Sequence, residues 1–134
     1  MKLIYPAIFT PCEEGGFTVD VVDLPGCVSE GDTLIEAIEQ GTDAASGWIL
    51  TALEDGDSIP QASSYSDITP DPGSFVNLLV VDIDAYAEKY GSKTVRKNIT
   101  IPAWLNTYGE KNNINFSKVL SDALIRQASD PGRS

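Results

Sequence analysis

Three scarcities in the sequence limit what this protein can do. None of its 134 residues is histidine, which excludes a ribonuclease that depends on that side chain. Only two cysteines are present, Cys12 and Cys27, and neither has a general base beside it, so we expect free thiols rather than a secreted disulfide framework or a thiol enzyme. No apolar run is long enough to span a bilayer, and the start MKLIYPAIF has a proline and no small-residue cleavage site. A soluble, cytoplasmic protein without a membrane partner is expected.

Basic side chains are scarce as well, but only in the first two thirds of the chain. Residues 1–88 contain one, Lys2, against 17 acidic side chains, a net charge of −16. Residues 89–134 contain eight basic and three acidic side chains, a net charge of +5. Because one part repels nucleic acid and the other attracts it, the asymmetry predicts two domains with different partners. An acidic half that serves only solubility is the alternative.

The first half of the chain has strand and turn signals. Leu3–Thr10 is rich in β-formers and predicts a strand in which Pro6 marks an edge or a bulge. Phe17, Val19 and Val21 alternate with polar residues, which predicts a second strand with one buried face. Residues 27–30 are long enough for a short third strand, after the turn DLPG.

A helix and a further strand follow. Thr33 and Glu36 form a capping box, so a helix should begin there and end at Asp55-Gly56. The spacing of its apolar and small residues predicts a buried stripe of Leu34, Ile38, Gly41, Ala45, Trp48 and Ala52. Residues 75–83 (FVNLLVVDI) are the most hydrophobic run and predict a strand in the centre of the sheet. The order is β-β-β-α-β.

The last forty residues show a different pattern. Arg96, Asn98 and Thr100 alternate with Ile99 and Ile101, which predicts a strand that is wet on one face. Pro102 ends the strand and opens a first helix over 103–111, and Asn115 is a good N-cap for a second one. The second helix has an apolar face made by Phe116, Val119, Leu120, Ala123 and Leu124. A unit this small cannot bury its own apolar faces, so a homodimer is expected.

This strand-helix-helix stretch resembles the ribbon-helix-helix family of DNA-binding dimers. The resemblance implies that two copies pair their strands into a ribbon that enters the major groove, with Arg96, Asn98 and Thr100 as base-reading side chains. It also implies that the start of the second helix, at Asn115, Phe116, Ser117 and Lys118, meets DNA phosphate. Lys97 departs from the pattern, because an apolar side chain is expected at its position.

The first half resembles the antitoxin family HicB in three segments. These are DLPGC at 23–27, GDTLIEAIEQG at 31–41 and IPQAS at 59–63. The resemblance implies a partial RNase H-like domain without a working active site, joined in many members to a C-terminal DNA-binding domain. It implies as partners a small, basic HicA toxin, which cleaves RNA with a histidine, and the operator DNA of a shared operon. One departure is VVDLPGC, where the family often has an aromatic residue before the turn.

The two resemblances together predict an α+β protein in two domains. Residues 1–88 would form the partial RNase H-like β-β-β-α-β domain that binds the toxin, and 94–134 the ribbon-helix-helix (β-α-α) domain that dimerises and binds DNA. Residues 89–93 would be a flexible linker. A higher oligomer is left open, because the N-terminal domains could pair as well. From their loop positions, we expect Asp20, Asp23, Glu30 and Asp32 to contact the toxin.

Catalysis is the less favoured reading of these carboxylates. An RNase H-type nuclease needs several carboxylates that converge on two magnesium ions, and the first strand has none. Asp20 and Asp23 lie near one strand end, and Asp82 and Asp84 near another, where turn formers and solvated aspartates are common. We therefore expect a binding protein without metal or cofactor. The alternatives are a DNA-binding regulator whose N-terminal domain senses a ligand or another protein, and a metal nuclease.

Overall fold

The computed structural model describes residues 1–91 and 93–129. The chain divides into two compact units, which are Lys2–Ser92, the N-terminal unit, and Met1 with Lys93–Ser134, the C-terminal unit. Ser92 of the predicted linker and residues 130–134 of the predicted DNA-binding domain lie outside the described residues. The described elements include four antiparallel strands and four α-helices, so the α+β class is confirmed.

A four-stranded sheet in the order β3-β2-β1-β4 forms the base of the N-terminal unit. Its strands are β1 (Lys2–Pro11), β2 (Phe17–Val21), β3 (Val28–Gly31) and β4 (Phe75–Asp82). Gly16, in the turn between β1 and β2, has a φ of +80°, and an added Cβ would lie 2.7 Å from the carbonyl oxygen of Gly31. Only glycine tolerates both the positive φ and the lack of space for a Cβ. The close approach of Gly16 to Gly31 brings the end of β3 beside the start of β2.

Pro6 lies in β1, a strand with neighbours on both sides. Its Cα partner in β4 is Leu78, but the ladder between β1 and β2 begins only at Ala7. Proline has no N–H to donate, so it is accommodated where one side of a strand lacks a partner. The edge position predicted for Pro6 was therefore wrong, and the residue is accommodated because the ladder to β2 begins one residue later.

β4 lies at an edge of the sheet, and the predicted central position was wrong. Its side chains alternate between two faces. Leu79 and Val81 are buried on one, whereas Leu78 and Val80 are 44% and 53% exposed on the other. Continuous hydrophobicity is typical of strands that are covered on both faces, but here a helix covers only one.

The helix that covers this face is α1 (Leu34–Glu54). It begins where the capping box predicts, because the Thr33 hydroxyl accepts a hydrogen bond from the Glu36 N–H at 3.1 Å. It ends in a Schellman arrangement, in which Gly56 has a φ of +77° and the Asp57 N–H donates to the Ala52 carbonyl at 2.9 Å.

The buried face of α1 consists mainly of small residues, which let the helix approach the sheet closely. At Gly41 an added Cβ would lie 3.0 Å from Val19 Cγ1, so backbone and sheet side chain are in direct contact. The predicted stripe was partly wrong: Leu34 is 40% exposed and Trp48 is half-buried. The buried positions of α1 are Ala37, Gly41, Ala45, Ser46, Ile49 and Ala52.

A helix that the sequence analysis missed, α2 (Ile83–Tyr90), follows β4. The Asp82 carboxylate caps it by accepting a hydrogen bond from the Ala85 N–H at 3.1 Å. The Tyr90 hydroxyl donates to the Asp43 carboxylate of α1 at 2.9 Å, which fixes the end of α2 on α1. Lys89 and Tyr90, predicted as the start of a flexible linker, therefore belong to a helix.

The C-terminal unit contains two helices where the sequence predicts them, α3 (Ala103–Lys111) and α4 (Phe116–Ser129). The Asn115 carboxamide oxygen caps α4 by accepting a hydrogen bond from the Lys118 N–H at 3.0 Å. Residues 94–102 have no regular secondary structure in the described single chain. The strand predicted there is therefore not formed in the described single chain, in which this segment has no strand to pair with.

Candidate interaction surfaces

The predicted base-reading side chains lie in the segment that precedes α3. Arg96, Asn98 and Thr100 are all exposed. The alternating residues are exposed too, Ile99 to 54% and Ile101 to 36%, so this segment has no buried face within one chain. The segment before α3 therefore exposes both the polar side chains predicted to read bases and the apolar side chains between them.

The predicted phosphate-contacting residues surround the first turn of α4. The Asn115 side chain already accepts the Lys118 N–H, so the amides of Phe116 and Ser117 are the ones left at the helix start. The Phe116 ring packs on Gly109 so closely that an added Cβ there would overlap it. The ammonium of Lys118 lies 3.3 Å from the carboxylate of Asp122 in an exposed pair, an interaction weak enough to be exchanged for a phosphate.

α3 and α4 leave most of their apolar side chains in contact with solvent. Trp104 is 70% exposed, Tyr108 56% and Leu124 54%. α4 has no fully buried residue. An apolar surface of this kind on a short helical unit indicates an interface, because water contact with these side chains is unfavourable.

Two of the four predicted toxin-contacting residues share a surface in the N-terminal unit. Asp20 pairs in register with Val28, and Glu30 with Thr18, so all four side chains lie on the sheet face opposite to α1. Asp20 and Glu30 line one open cavity of about 510 Å³ there. The structure thus brings these two carboxylates together.

Asp23 and Asp32 have different surroundings. The Asp23 carboxylate accepts hydrogen bonds from the Ser63 N–H at 2.8 Å and from the Ser63 hydroxyl at 2.6 Å. It therefore holds the loop that follows α1 against the turn between β2 and β3. Asp32 is exposed directly before the capping residue Thr33, and it does not line the cavity of Asp20 and Glu30.

The carboxylates considered for metal-dependent cleavage do not form a cluster. Asp23 is engaged with Ser63 and Asp82 caps α2, as described above. Within residues 1–91 and 93–129, no group of three or more histidine, cysteine, aspartate or glutamate side chains could hold a metal ion. Burial, and secondarily the negative charge of Asp20, raises the pKa of the Cys27 thiol, which disfavours the reactive thiolate.

A cleft that the sequence analysis did not anticipate lies between β3 and the second half of α1. It has a volume of about 450 Å³, and Trp48, Asp55 and Asp57 are among the residues that line it. The sequence contains one signal for this cleft. Trp48 precedes the acidic stretch EDGD at 54–57, near the end of the predicted helix. The helical spacing instead predicts Trp48 in the buried stripe of α1, whereas the structure leaves it half-buried.

The fold is therefore that of a two-unit α+β protein, with an acidic unit built on a sheet and a basic helical unit. No helix among the described residues is both long enough and apolar enough to cross a membrane.

Comparison with known proteins defines the family. The model of the HicB-like antitoxins of bacterial toxin-antitoxin systems matches residues 5–128. An uncharacterised 14.9 kDa protein of Haemophilus phage HP1 is 32% identical over 103 residues, which are 77% of this chain and 76% of the relative. Antitoxin HicB of Escherichia coli K12 is 41% identical over 63 residues, but this match covers only 44% of this chain and 43% of that protein.

A solved toxin-antitoxin complex from Streptococcus pneumoniae contains a chain of the same fold, with a TM-score of 0.61 at 22% identity. The match covers 95% of this chain and 99% of that one. The chain therefore belongs to the HicB-like antitoxin family. Membership in a family of antitoxins suggests a regulatory protein that is not catalytic.

Proposed function

We propose that this antitoxin uses its two units for two tasks. The acidic N-terminal unit binds and neutralises a small, basic, RNA-cleaving HicA-like toxin. The C-terminal unit forms a ribbon-helix-helix homodimer that binds operator DNA and represses the operon from which the antitoxin is made.

The observation that carries the proposal is the separation of charge along the chain. Residues 1–88 have a net charge of −16 and residues 89–134 a net charge of +5. DNA phosphates attract the second part and repel the first, whereas a basic RNA-binding groove attracts the first. Two parts of opposite charge suit two partners of opposite charge.

The apolar surface of the C-terminal unit supports dimerisation. Trp104, Tyr108 and Leu124 are each more than half exposed, and Ile99 is exposed on the segment before α3. A second copy would cover these side chains and would also give residues 94–101 the strand partner that a single chain lacks. In that ribbon Arg96, Asn98 and Thr100 would point into the major groove.

Toxin binding is supported by the surface that Asp20 and Glu30 form and by the family. The solved relative from Streptococcus pneumoniae is a toxin-antitoxin complex. Carboxylates on an exposed sheet face can take the place of RNA phosphates before a basic groove, so we expect inhibition by occlusion. Such surface charges should raise the association rate more than they lengthen the lifetime of the complex.

DNA binding is tested with a fluorescent duplex taken from immediately upstream of the gene. Wild type should bind tightly and with strong salt dependence, and Arg96→Ala/Asn98→Ala should fall to non-specific affinity, because each base contact contributes about 1–3 kcal/mol. Arg126→Ala/Gln127→Ala is the matched control, since it also removes one guanidinium and one carboxamide, here from exposed positions near the end of α4. Equal binding by wild type and the Arg96/Asn98 variant would refute the ribbon.

Toxin neutralisation is tested by co-expression with the gene next to this one. Wild type should restore growth of cells that produce the neighbouring protein, and Arg96→Ala/Asn98→Ala should restore it equally well, because those residues are assigned to DNA. Growth that is not restored by wild type would refute the antitoxin function.

A further inference from the structure

The cleft between β3 and α1 has two kinds of wall. One wall comes from residues 26–28, at the start of the edge strand β3. Trp48 lines the opposite side, on α1. At about 450 Å³ the cleft is large enough for a long side chain from another molecule but is open along its length.

Trp48 is fixed in position. Its indole N–H donates to the Pro25 carbonyl oxygen in the turn before β3 at 3.1 Å, which ties the ring to that turn. The ring is half-buried, so part of its surface is open to solvent. An immobilised and accessible indole is the aromatic side chain that attracts a cation most strongly.

Two carboxylates stand at the end of the cleft where α1 stops. Asp55 is the C-cap of α1, and the Schellman bond from the Asp57 N–H to Ala52 holds Asp57 beside it. The last turn of α1 has no basic residue, and neither carboxylate has an ion-pair partner within the described parts of the chain. The carboxyl end of a helix is the negative end of its dipole, so two carboxylates there repel it electrostatically. A bound cation would relieve this repulsion.

The acidic surface continues around β3. Val28 lines both this cleft and the cavity that Asp20 and Glu30 share on the other side of the strand. Asp55 and Asp57 line one of these two adjoining cavities, and Asp20 and Glu30 line the other. Phosphate-bearing ligands are repelled from such a place, and a basic protein is attracted.

We infer that the cleft between β3 and α1 receives a lysine or arginine side chain of the basic protein partner, with the aliphatic stem on Trp48 and the charge at Asp55 and Asp57. Long cationic side chains place an apolar stem on apolar surface and keep the charged end among polar groups, which matches the walls and the end of the cleft. The inference rests on the proposed function, because it takes the partner to be the HicA-like toxin.

Three variants of the full chain test the inference by calorimetric titration with the protein encoded by the neighbouring gene, which the proposed function takes to be a HicA-like toxin, produced with its histidines changed to alanine. Asp55→Asn/Asp57→Asn removes the charges and keeps the shape. Thr51→Arg changes an exposed residue of the cleft wall and places a competing guanidinium one turn before Asp55. Asp67→Asn/Asp71→Asn is the matched control, because it removes two exposed carboxylates from the loop before β4, at the other edge of the sheet.

We expect Asp55→Asn/Asp57→Asn to weaken binding roughly tenfold at low salt and to reduce its salt dependence. Thr51→Arg should weaken it at least as much, and the control should stay within about twofold of wild type. In a 15N-labelled chain, unlabelled toxin should shift the indole signal of Trp48, which is identified by its loss in Trp48→Phe, and leave that of Trp104 in place.

Wild-type affinity in both cleft variants, or an unshifted Trp48 signal in a saturated complex, would overturn the cleft and leave the antitoxin function standing. Absence of binding by wild type itself would overturn the antitoxin function, and the cleft assignment with it. The two failures are distinguishable, because only the second appears without any substitution.

Discussion

Asp23 should act as a structural clamp rather than as a toxin contact, and Asp23→Ala tests this. The substitution removes the acceptor for both hydrogen bonds from Ser63, at 2.8 and 2.6 Å. Hydrogen bonds to a charged group contribute about 1.5–3 kcal/mol each when shielded, but both are exposed here and water can replace them. We therefore expect the free energy of unfolding to fall by about 1.5 kcal/mol in total. For a unit of this size the Tm would drop by about 6–12 °C.

The assay is urea and thermal unfolding of the full chain, with hydrogen exchange at the Ser63 amide as a local measurement. The control is Asp20→Ala, which removes a carboxylate from the neighbouring strand β2 that makes no side-chain hydrogen bond in the described structure. It should change stability by less than about 0.5 kcal/mol. Equal stability of the two variants, with unchanged exchange at Ser63, would refute the clamp.

Further expectations concern thiols, alkaline pH and dimerisation. Cys12 is exposed and should react with a thiol reagent at once, whereas the buried Cys27, whose pKa is raised, should react only on unfolding; equal rates in the native protein would contradict this. Burial, and secondarily a nearby aspartate, raises the pKa of Tyr5, so its stabilising contribution is complete below about pH 10 and is lost as the pH rises through the higher folded value. Tyr5→Phe should accordingly lose less stability than wild type between about pH 9 and about pH 11, as measured by urea midpoints. Leu124→Asp should yield a monomer in sedimentation and abolish operator binding, while the exposed Ser121→Asp should do neither; a dimeric Leu124→Asp protein would remove the apolar face of α4 from the interface.

The candidate surfaces could be predicted from the sequence to different degrees. The sequence predicts Asp20 and Glu30 in loops, whereas they lie in β2 and β3, whose register brings them to one face. The toxin contact of Asp23 stays a prediction, and nothing in the sequence indicates that its carboxylate accepts hydrogen bonds from Ser63, forty positions away. The cleft at Trp48 was missed because its two walls are distant in sequence and only the fold makes them neighbours.

Local chemistry determined the features that the sequence alone predicts. Thr33 and Asn115 cap their helices through a backbone N–H three positions away, so these helix starts depend on neighbouring residues only. The division of charge between the two parts of the chain likewise needs no fold. The helix starts are decided within one turn and the charge division by composition, and the charge division is the feature that predicts two partners.

The tertiary structure decided the features that depend on distant contacts. The hydrophobicity of β4 is compatible with a central strand or an edge strand. It is an edge strand because β1 is its only neighbour in the described sheet. The helix α2 is short, and its end is held by the hydrogen bond from Tyr90 to Asp43. A contact between residues 47 positions apart cannot be predicted from a local sequence pattern. Side-chain periodicity specifies which residues share a face, but what lies against that face is set by contacts between segments far apart in the chain.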